Sequence, residues 1–153
     1  NKAWIKRLSD EDLLSRAKPF LKHEVADDTF RKILPLVKER ITKLAELDQF
    51  ITFFFDRPLT LDQTEQTKKY LADALSVLEK TAWTKEAIES TLADSANAKG
   101  WNRGDYFMAL RLAVAGSRVT PPLTESMLII GQDEILARIN QNVIPDLIGN
   151  PYK

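Results

Sequence analysis

Apolar residues recur at steps of three and four along most of this chain, as they do on one face of an α-helix. Hydroxyl residues that can cap a helix N-terminus precede several of these patterns, at Ser9, Thr60, Thr84 and Thr120. No pair of alternating strands with a hairpin turn occurs. The pattern therefore predicts an all-α fold. Its other helices are predicted to start after Asp27-Asp28, at Leu47, at Asn102 or Asp105, and near Asp133.

Prolines and glycines interrupt the helical pattern at definite points. Pro19 and Pro35 fall inside the first two predicted helices, the second of which covers residues 30–44, and each proline should kink or split its helix. Gly100 and Gly116 follow two later helices, where a glycine ends a helix readily. The Thr60–Gln63 spacing is that of a capping box and predicts that a long helix opens there.

The clearest boundary lies at Asp56-Arg57-Pro58, directly after a short apolar helix predicted over residues 47–55. We expect a two-part helical bundle, with a front subdomain over residues 1–58 and a rear subdomain over 59–142. Proline and glycine break the pattern after this point, so residues 143–153 are predicted to form an irregular tail.

The composition excludes several classes of chemistry. The 153 residues include no cysteine and one histidine, which excludes disulfides, zinc–cysteine sites, thiol nucleophiles and multi-histidine metal sites. Neither a GxGxxG nor a GxxxxGK[ST] motif occurs, and no apolar run approaches the ~20 residues of a membrane span. The absence of cysteine and of a secretory signal favours a cytoplasmic protein. Because the chain begins with Asn1, we expect a segment of a longer protein.

Candidates for acid–base catalysis are few. His23 lies at a predicted helix end, where the helix dipole favours it, and it has no serine or carboxylate at a recognisable spacing. The pairs Asp10/Asp12 and Asp27/Asp28 lie at predicted helix starts, where acidic residues are stabilised by the dipole. Structural roles are the better interpretation for the histidine and for the four aspartates, and no catalytic residue is predicted.

The charge is balanced overall but unevenly distributed. Lys and Arg number 22, as do Asp and Glu, so the net charge is zero. Residues 1–43 carry a net charge of +4, residues 44–98 carry −5, and residues 99–153 carry +1. One interpretation is a set of ordinary solvated helix faces. The other is an anionic partner that binds the two ends of the chain.

Two arginines are candidates for contact with such a partner. Arg111 is the only charged residue between Tyr106 and Arg118, in an otherwise apolar helix. It either reaches solvent or pairs with a structural acid, or it is held rigidly to meet a phosphate or a base edge. Arg118 lies in the proline-containing segment 117–123, which precedes a predicted helix N-terminus and suits an anion.

Three separated segments resemble the C-terminal part of bacterial glutamyl-tRNA synthetases. Residues 109–139, ALRLAVAGSRVTPPLTESMLIIGQDEILARI, resemble that family's L-R-x-A-x-x-G segment and the helices after it. Residues 34–47, LPLVKERITKLAEL, followed by FFFD at 53–56, resemble its earlier anticodon-side helices, and residues 83–92, WTKEAIESTL, resemble its W-T-x-E-x-x-E segment. The resemblance covers most of residues 1–142 in the family's order.

The resemblance implies an all-α helical cage that binds the anticodon arm of tRNA(Glu). The whole enzyme of this family uses ATP to join glutamate to its tRNA. Carried over by matching residues, Arg40 of VKERI, Arg111 of ALRLA and Leu123 after TPP resemble the anticodon-contacting positions. Arg118 is added as a tRNA contact from its own position in the loop. An exposed Leu123 could pack against an unstacked base.

Two features of the chain depart from the pattern of the family. The HIGH and KMSKS motifs of class I synthetases are absent, so this chain is not expected to form glutamyl-adenylate. ATP and Mg²⁺ would belong to a catalytic domain that is covalently continuous with it in the full-length protein. The resemblance implies tRNA(Glu) as partner, no DNA, no membrane and a monomer. The ending VIPDLIGNPYK does not resemble the family's usual helical end.

Two other hypotheses stay open at this point. A helical protein-interaction domain without an RNA role fits the zero net charge and the apolar stretch at residues 106–115. An autonomous enzyme is poorly supported, since the chain offers one histidine, no cysteine and no catalytic constellation.

Overall fold

The computed structural model describes residues 2–21, 25–60 and 63–143. Over these residues the secondary structure consists of α-helices, two short 3₁₀ turns and loops, with no strand, and the all-α prediction is confirmed. The helices are α1 (Lys2–Arg7), α2 (Asp10–Ala17), α3 (Asp27–Val37), α4 (Leu47–Phe55), α5 (Glu65–Leu78), α6 (Lys85–Ala98), α7 (Arg103–Ala115), α8 (Leu123–Ile130) and α9 (Gln132–Asn140).

Three predicted helix starts are capped by the residues that the sequence indicated. Ser9, Thr84 and Asn102 each accept a hydrogen bond from the backbone N–H three residues ahead, at 3.2, 3.2 and 2.9 Å. Each bond satisfies one of the amides that has no partner within the first helical turn. The three prolonged apolar patterns that follow these residues form α2, α6 and α7.

The predicted start of the long helix at Thr60 is wrong. Helix α5 begins at Glu65, and its N-cap is Thr64, whose hydroxyl accepts the Thr67 N–H at 3.1 Å. Gln63 does not reach back to a cap, because its side-chain amide donates to the Asn142 side-chain oxygen at 2.9 Å. The Gln63 side chain therefore bonds to a residue that is distant in sequence, and not to the helix start that the local pattern predicted.

The two helices near Pro19 and Pro35 are shorter than the apolar periodicity suggests. Helix α2 stops at Ala17, and Pro19 lies in the 3₁₀ turn Lys18–Phe20 that follows. Pro35 lies inside α3, which ends two residues later at Val37, so the predicted helix over 30–44 is too long. Because proline has no N–H, Pro35 cannot donate the hydrogen bond that the Arg31 carbonyl would accept in a regular helix, but α3 continues past it to Val37. The sequence pattern did not indicate α1.

The chain divides into two compact units, Asn1–Asp56 and Arg57–Lys153. In the first unit α2 and α4 both pack on α3. Its core is aliphatic and aromatic, and its fully buried members are Ile5, Leu13, Ala17, Ile33, Leu34, Val37, Ile41, Leu47 and Ile51. His23 and residues 144–153 of the predicted tail lie outside the described residues.

The second unit is organised around α5, which contacts α6, α7 and α9, while α8 packs on α6 and α9. The core is lined by one apolar face of each of these helices. Its fully buried members are Leu71, Leu78, Ile88, Leu92, Ala96, Val114, Met127, Ile135 and Ile139. Because the apolar residues of α7 face this core, the helix has a fixed orientation in the unit.

A partly buried carboxylate joins three elements of the second unit. Asp73 of α5 accepts hydrogen bonds from Ser95 of α6 and Tyr106 of α7, each at 2.6 Å, and pairs with Lys99 at 2.8 Å. Burial alone would raise the pKa of Asp73, but the hydrogen bonds from Lys99, Ser95 and Tyr106 outweigh burial and hold that pKa below its usual value. The network positions the N-terminal half of α7.

Candidate functional site

The segment between α7 and α8, residues 116–122, is called the α7–α8 loop below. It begins at Gly116, which has φ +71° and ends α7 as predicted, with its N–H bonded to the Leu112 carbonyl at 2.9 Å. A Cβ atom at this position would lie 2.9 Å from the Cβ of Pro58. Both the left-handed backbone and this close approach favour glycine.

Within the loop a short turn presents two side chains to solvent. The Ser117 hydroxyl accepts the Val119 N–H at 3.2 Å and donates to the Val119 carbonyl at 3.1 Å. Arg118 is exposed, and no described residue forms a hydrogen bond or ion pair with its guanidinium. The Val119 side chain is 71% exposed, which is uncommon for an aliphatic residue of this size.

Arg111 is half-buried on α7 and is bonded to the other end of the loop. Its Nη1 donates to the Thr120 hydroxyl at 2.6 Å, and that hydroxyl donates to the Pro121 carbonyl at 2.8 Å. The prediction that Thr120 caps the next helix is therefore wrong. Helix α8 begins at Leu123 after Pro122, and no side chain caps it. Thr120 instead fixes the direction of a guanidinium.

Leu123 is buried, and the expectation that it is exposed to an unstacked base is wrong. It is only 7% exposed and belongs to the core of the second unit, as does Met127 one helical turn later. The i, i+4 spacing of these two residues was the signal in the sequence that Leu123 faces inward. The exposed apolar residue of this region is Val119. It has no signal in the sequence, because it lies in a loop without periodicity.

The candidate residues fall in two places. Arg111, Arg118 and Leu123 lie on the continuous segment formed by α7, the α7–α8 loop and α8, in the second unit. Arg40 belongs to the first unit, where it is exposed in the turn after α3 and its N–H is bonded to the Val37 carbonyl at 2.8 Å. The structure thus brings two arginines and an exposed valine together around one loop.

The described residues form neither a metal site nor a membrane-spanning helix. Among the described residues no group of three or more His, Asp or Glu side chains is placed to hold a metal ion. None of the described helices is long and apolar enough to cross a bilayer.

Comparison with known proteins identifies the family of this chain. The family model described as an anticodon binding domain matches residues 12–143. Because that range covers most of the chain, the chain belongs to the anticodon-binding domain family. The resemblance to glutamyl-tRNA synthetases seen in the sequence is confirmed by the relatives described next.

Curated proteins that are similar to this chain include glutamate–tRNA ligases. The glutamate–tRNA ligase 1 of Fervidobacterium nodosum is 36% identical in an alignment of 145 residues that covers 92% of this chain and 30% of the ligase. The enzyme of Paenarthrobacter aurescens is 32% identical, over 91% of this chain and 31% of that protein. The crystal structure of a glutamate tRNA ligase from Elizabethkingia meningosepticum, in complex with its amino acid, has a TM-score of 0.81 at 27% identity and covers 94% of this chain and 30% of that one. The chain therefore spans about 30% of the length of the relatives it matches.

Proposed function

We propose that this chain is the tRNA anticodon-binding module of a glutamyl-tRNA synthetase, an enzyme that ligates glutamate to tRNA(Glu) using ATP. The observation that carries this proposal is the match of the anticodon-binding family over residues 12–143. The similarity to glutamate–tRNA ligases over more than nine tenths of the chain supports the choice of amino acid.

The chain would supply recognition, and a separate domain would supply catalysis. It matches about 30% of each ligase, and it contains neither of the class I motifs that handle ATP. ATP and Mg²⁺ would accordingly bind a catalytic domain continuous with this chain, and the chain alone would not activate glutamate. The proposal includes a cytoplasmic monomer whose partner is the anticodon arm and not DNA.

The α7–α8 loop would contact the unpaired bases of the anticodon. Arg111 would present a planar guanidinium whose direction Thr120 fixes, which suits hydrogen bonding to a base edge. The exposed Arg118 would meet a phosphate. The exposed Val119 would pack against an unstacked base, as apolar and aromatic side chains do when proteins bind single-stranded loops. Arg40 would add a contact from the first unit.

The hypothesis of a protein-interaction domain loses its main support in the structure. It rested on the zero net charge and, more specifically, on the apolar stretch at residues 106–115. Tyr106, Ala109, Leu110, Ala113 and Val114 are buried within the second unit, so this stretch is core and not a free surface.

Equilibrium binding tests the proposal directly. The chain is titrated against a tRNA(Glu) transcript and against transcripts in which each anticodon base is changed in turn, at one low salt concentration. We expect a contacted base to contribute about 1–3 kcal/mol, which is a loss of affinity of about 5- to 150-fold when it is changed. Equal affinity for all transcripts would remove the anticodon role, and no binding to any would favour a protein partner.

The same assay tests the apolar contact. Val119→Ser should weaken binding to the unchanged transcript, because a serine cannot bury the same apolar area against a base. Thermal unfolding should change little, since the side chain is 71% exposed in the free protein. An unchanged affinity would exclude Val119 from the interface.

A further inference from the structure

Glu134 of α9 lies between two arginines that come from different parts of the second unit. Arg57 donates to it through Nε and Nη2, at 3.1 and 2.8 Å, in the two-pronged geometry that gives strong ion pairs. Arg138, one helical turn after Glu134, donates its Nε to the same carboxylate at 2.7 Å. One carboxylate therefore joins the segment at Arg57 to the interior of the unit.

Arg138 continues this network to the end of α7. Its side chain is 1% exposed, and its Nη1 donates to the Val114 carbonyl at 2.8 Å. The last carbonyls of a helix have no partner within the helix, and a positive charge is favoured at that end. Arg138 therefore bonds the last turn of α7, two residues before Gly116 opens the α7–α8 loop.

Pro58, the residue after Arg57, packs against the start of the α7–α8 loop. Pro58 is so close to Gly116 that a Cβ on the glycine would lie 2.9 Å from the proline Cβ. The Pro58 carbonyl in turn accepts a hydrogen bond from the Gln141 side chain at 2.8 Å. Residues 57 and 58 thus form hydrogen bonds with Glu134 and Gln141, and Pro58 contacts Gly116, the first residue of the loop.

We propose that Arg57, Glu134 and Arg138, called the clamp below, are positioning residues for anticodon recognition. They do not contact the RNA, and they act by fixing the C-terminal turn of α7 and the α7–α8 loop that follows it. Arg111 and the loop residues need a fixed direction to distinguish one base from another, so a loosened loop should lose discrimination. This inference rests on the function proposed above.

The clamp is tested with Glu134→Gln, which removes the charge and keeps the size of the side chain. Asp73→Asn is the matched control, because Asp73 is another partly buried, ion-paired carboxylate of the same unit and its partners Ser95, Lys99 and Tyr106 lie outside the α7–α8 loop. Two quantities are measured on folded protein, with the folded fraction checked by urea titration. They are the ratio of affinities for the tRNA(Glu) transcript and an anticodon-changed transcript, and hydrogen–deuterium exchange over residues 114–122.

We expect Glu134→Gln to lower the affinity ratio about tenfold and to accelerate exchange in the loop, and Asp73→Asn to do neither. If the wild-type chain discriminates between anticodons and Glu134→Gln keeps both the ratio and the slow exchange, the clamp has no positioning role. The same holds if Asp73→Asn lowers the ratio equally, since the effect would then be general destabilisation. A wild-type chain that does not discriminate at all would overturn the proposed function and this inference together.

Discussion

In the proposed function Arg111 would distinguish one base from another, and the contact that would make this possible is its hydrogen bond to Thr120. A guanidinium offers five donors in a rigid plane, but its direction is useful only if something fixes it. The 2.6 Å bond to the Thr120 hydroxyl does this, and the hydroxyl is itself oriented by its bond to the Pro121 carbonyl at 2.8 Å. At the scale of one residue, Thr120 therefore helps to fix the direction of the Arg111 guanidinium.

Thr120→Val is expected to weaken binding of the tRNA(Glu) transcript about tenfold. Valine has nearly the same shape but cannot accept the Arg111 hydrogen bond, and bonds to charged groups contribute about 1.5–3 kcal/mol. Fluorescence titration measures the loss.

Thr81→Val is the matched control for that substitution. It also removes a threonine hydroxyl from the second unit, where Thr81 donates to the Val77 carbonyl at 2.6 Å. It should change stability without changing affinity. Equal loss of affinity in the two variants would mean that Thr120 has no special role.

At the scale of the helices, the sequence indicated most elements and some of their ends. Ser9, Thr84 and Asn102 were predictable as caps because each satisfies an amide three residues away, which is a local interaction. The sequence could not show that Thr60 and Thr120 cap no helix. Gln63, the other half of the predicted capping box, bonds to Asn142, and Thr120 bonds to Arg111. Distant partners of this kind have no local signature in a single sequence.

The candidate site, like the helices, was predictable only in part. Arg111 stood out because it is a lone charge in an apolar helix, and Arg118 because it precedes a helix start. The burial of Leu123 and the exposure of Val119 depend on how α8 packs in the core and on the turn at Ser117. Both features require the tertiary structure, although the spacing of Leu123 and Met127 gave a partial indication of the first.

The end of α7 should be sensitive to a single methyl group. Gly116→Ala is expected to destabilise the chain by about 2 kcal/mol or more, because the left-handed backbone costs about 1–2 kcal/mol and the new Cβ meets Pro58 at 2.9 Å. Gly100→Ala is the control, since Gly100 has φ +68° and nothing within 4 Å of an added Cβ. Urea unfolding should show the smaller loss for Gly100→Ala. Equal losses would contradict the close packing of Pro58.

The network at Asp73 makes the packing of α5, α6 and α7 dependent on pH. The pKa of Asp73 is lower in the folded chain than its usual 3.8. Its stabilising contribution is therefore fully present above the unfolded-chain value and is lost as the pH falls through the lower folded value. We expect Asp73→Asn to cost about 2 kcal/mol at pH 7 and progressively less below pH 3.8. Urea titrations of both proteins across this range measure the difference, and a gap that widens in acid would contradict the assignment.

At the scale of the whole chain, zero net charge is compatible with RNA binding because the charge is not uniform. The first 43 residues carry a net charge of +4 and the middle 55 carry −5, so the two regions differ strongly in sign. A protein that recognises one loop of a tRNA needs positive charge only where it touches the RNA. Nonspecific attraction would be weak for such a chain, and specificity would depend on contacts such as those of the α7–α8 loop.

The most direct test of the account combines one change in the protein with one in the RNA. Binding is measured for the wild-type chain, Arg111→Ala and Arg103→Ala, each against the tRNA(Glu) transcript and the anticodon-changed transcript that binds most weakly. Arg103 is the matched control, because it is an exposed arginine at the opposite end of the same helix. We predict that Arg111→Ala lowers affinity for the unchanged transcript about tenfold and hardly affects the changed one, and that Arg103→Ala alters both slightly and equally. Loss of the same factor for both transcripts in Arg111→Ala would contradict recognition of the anticodon by this loop.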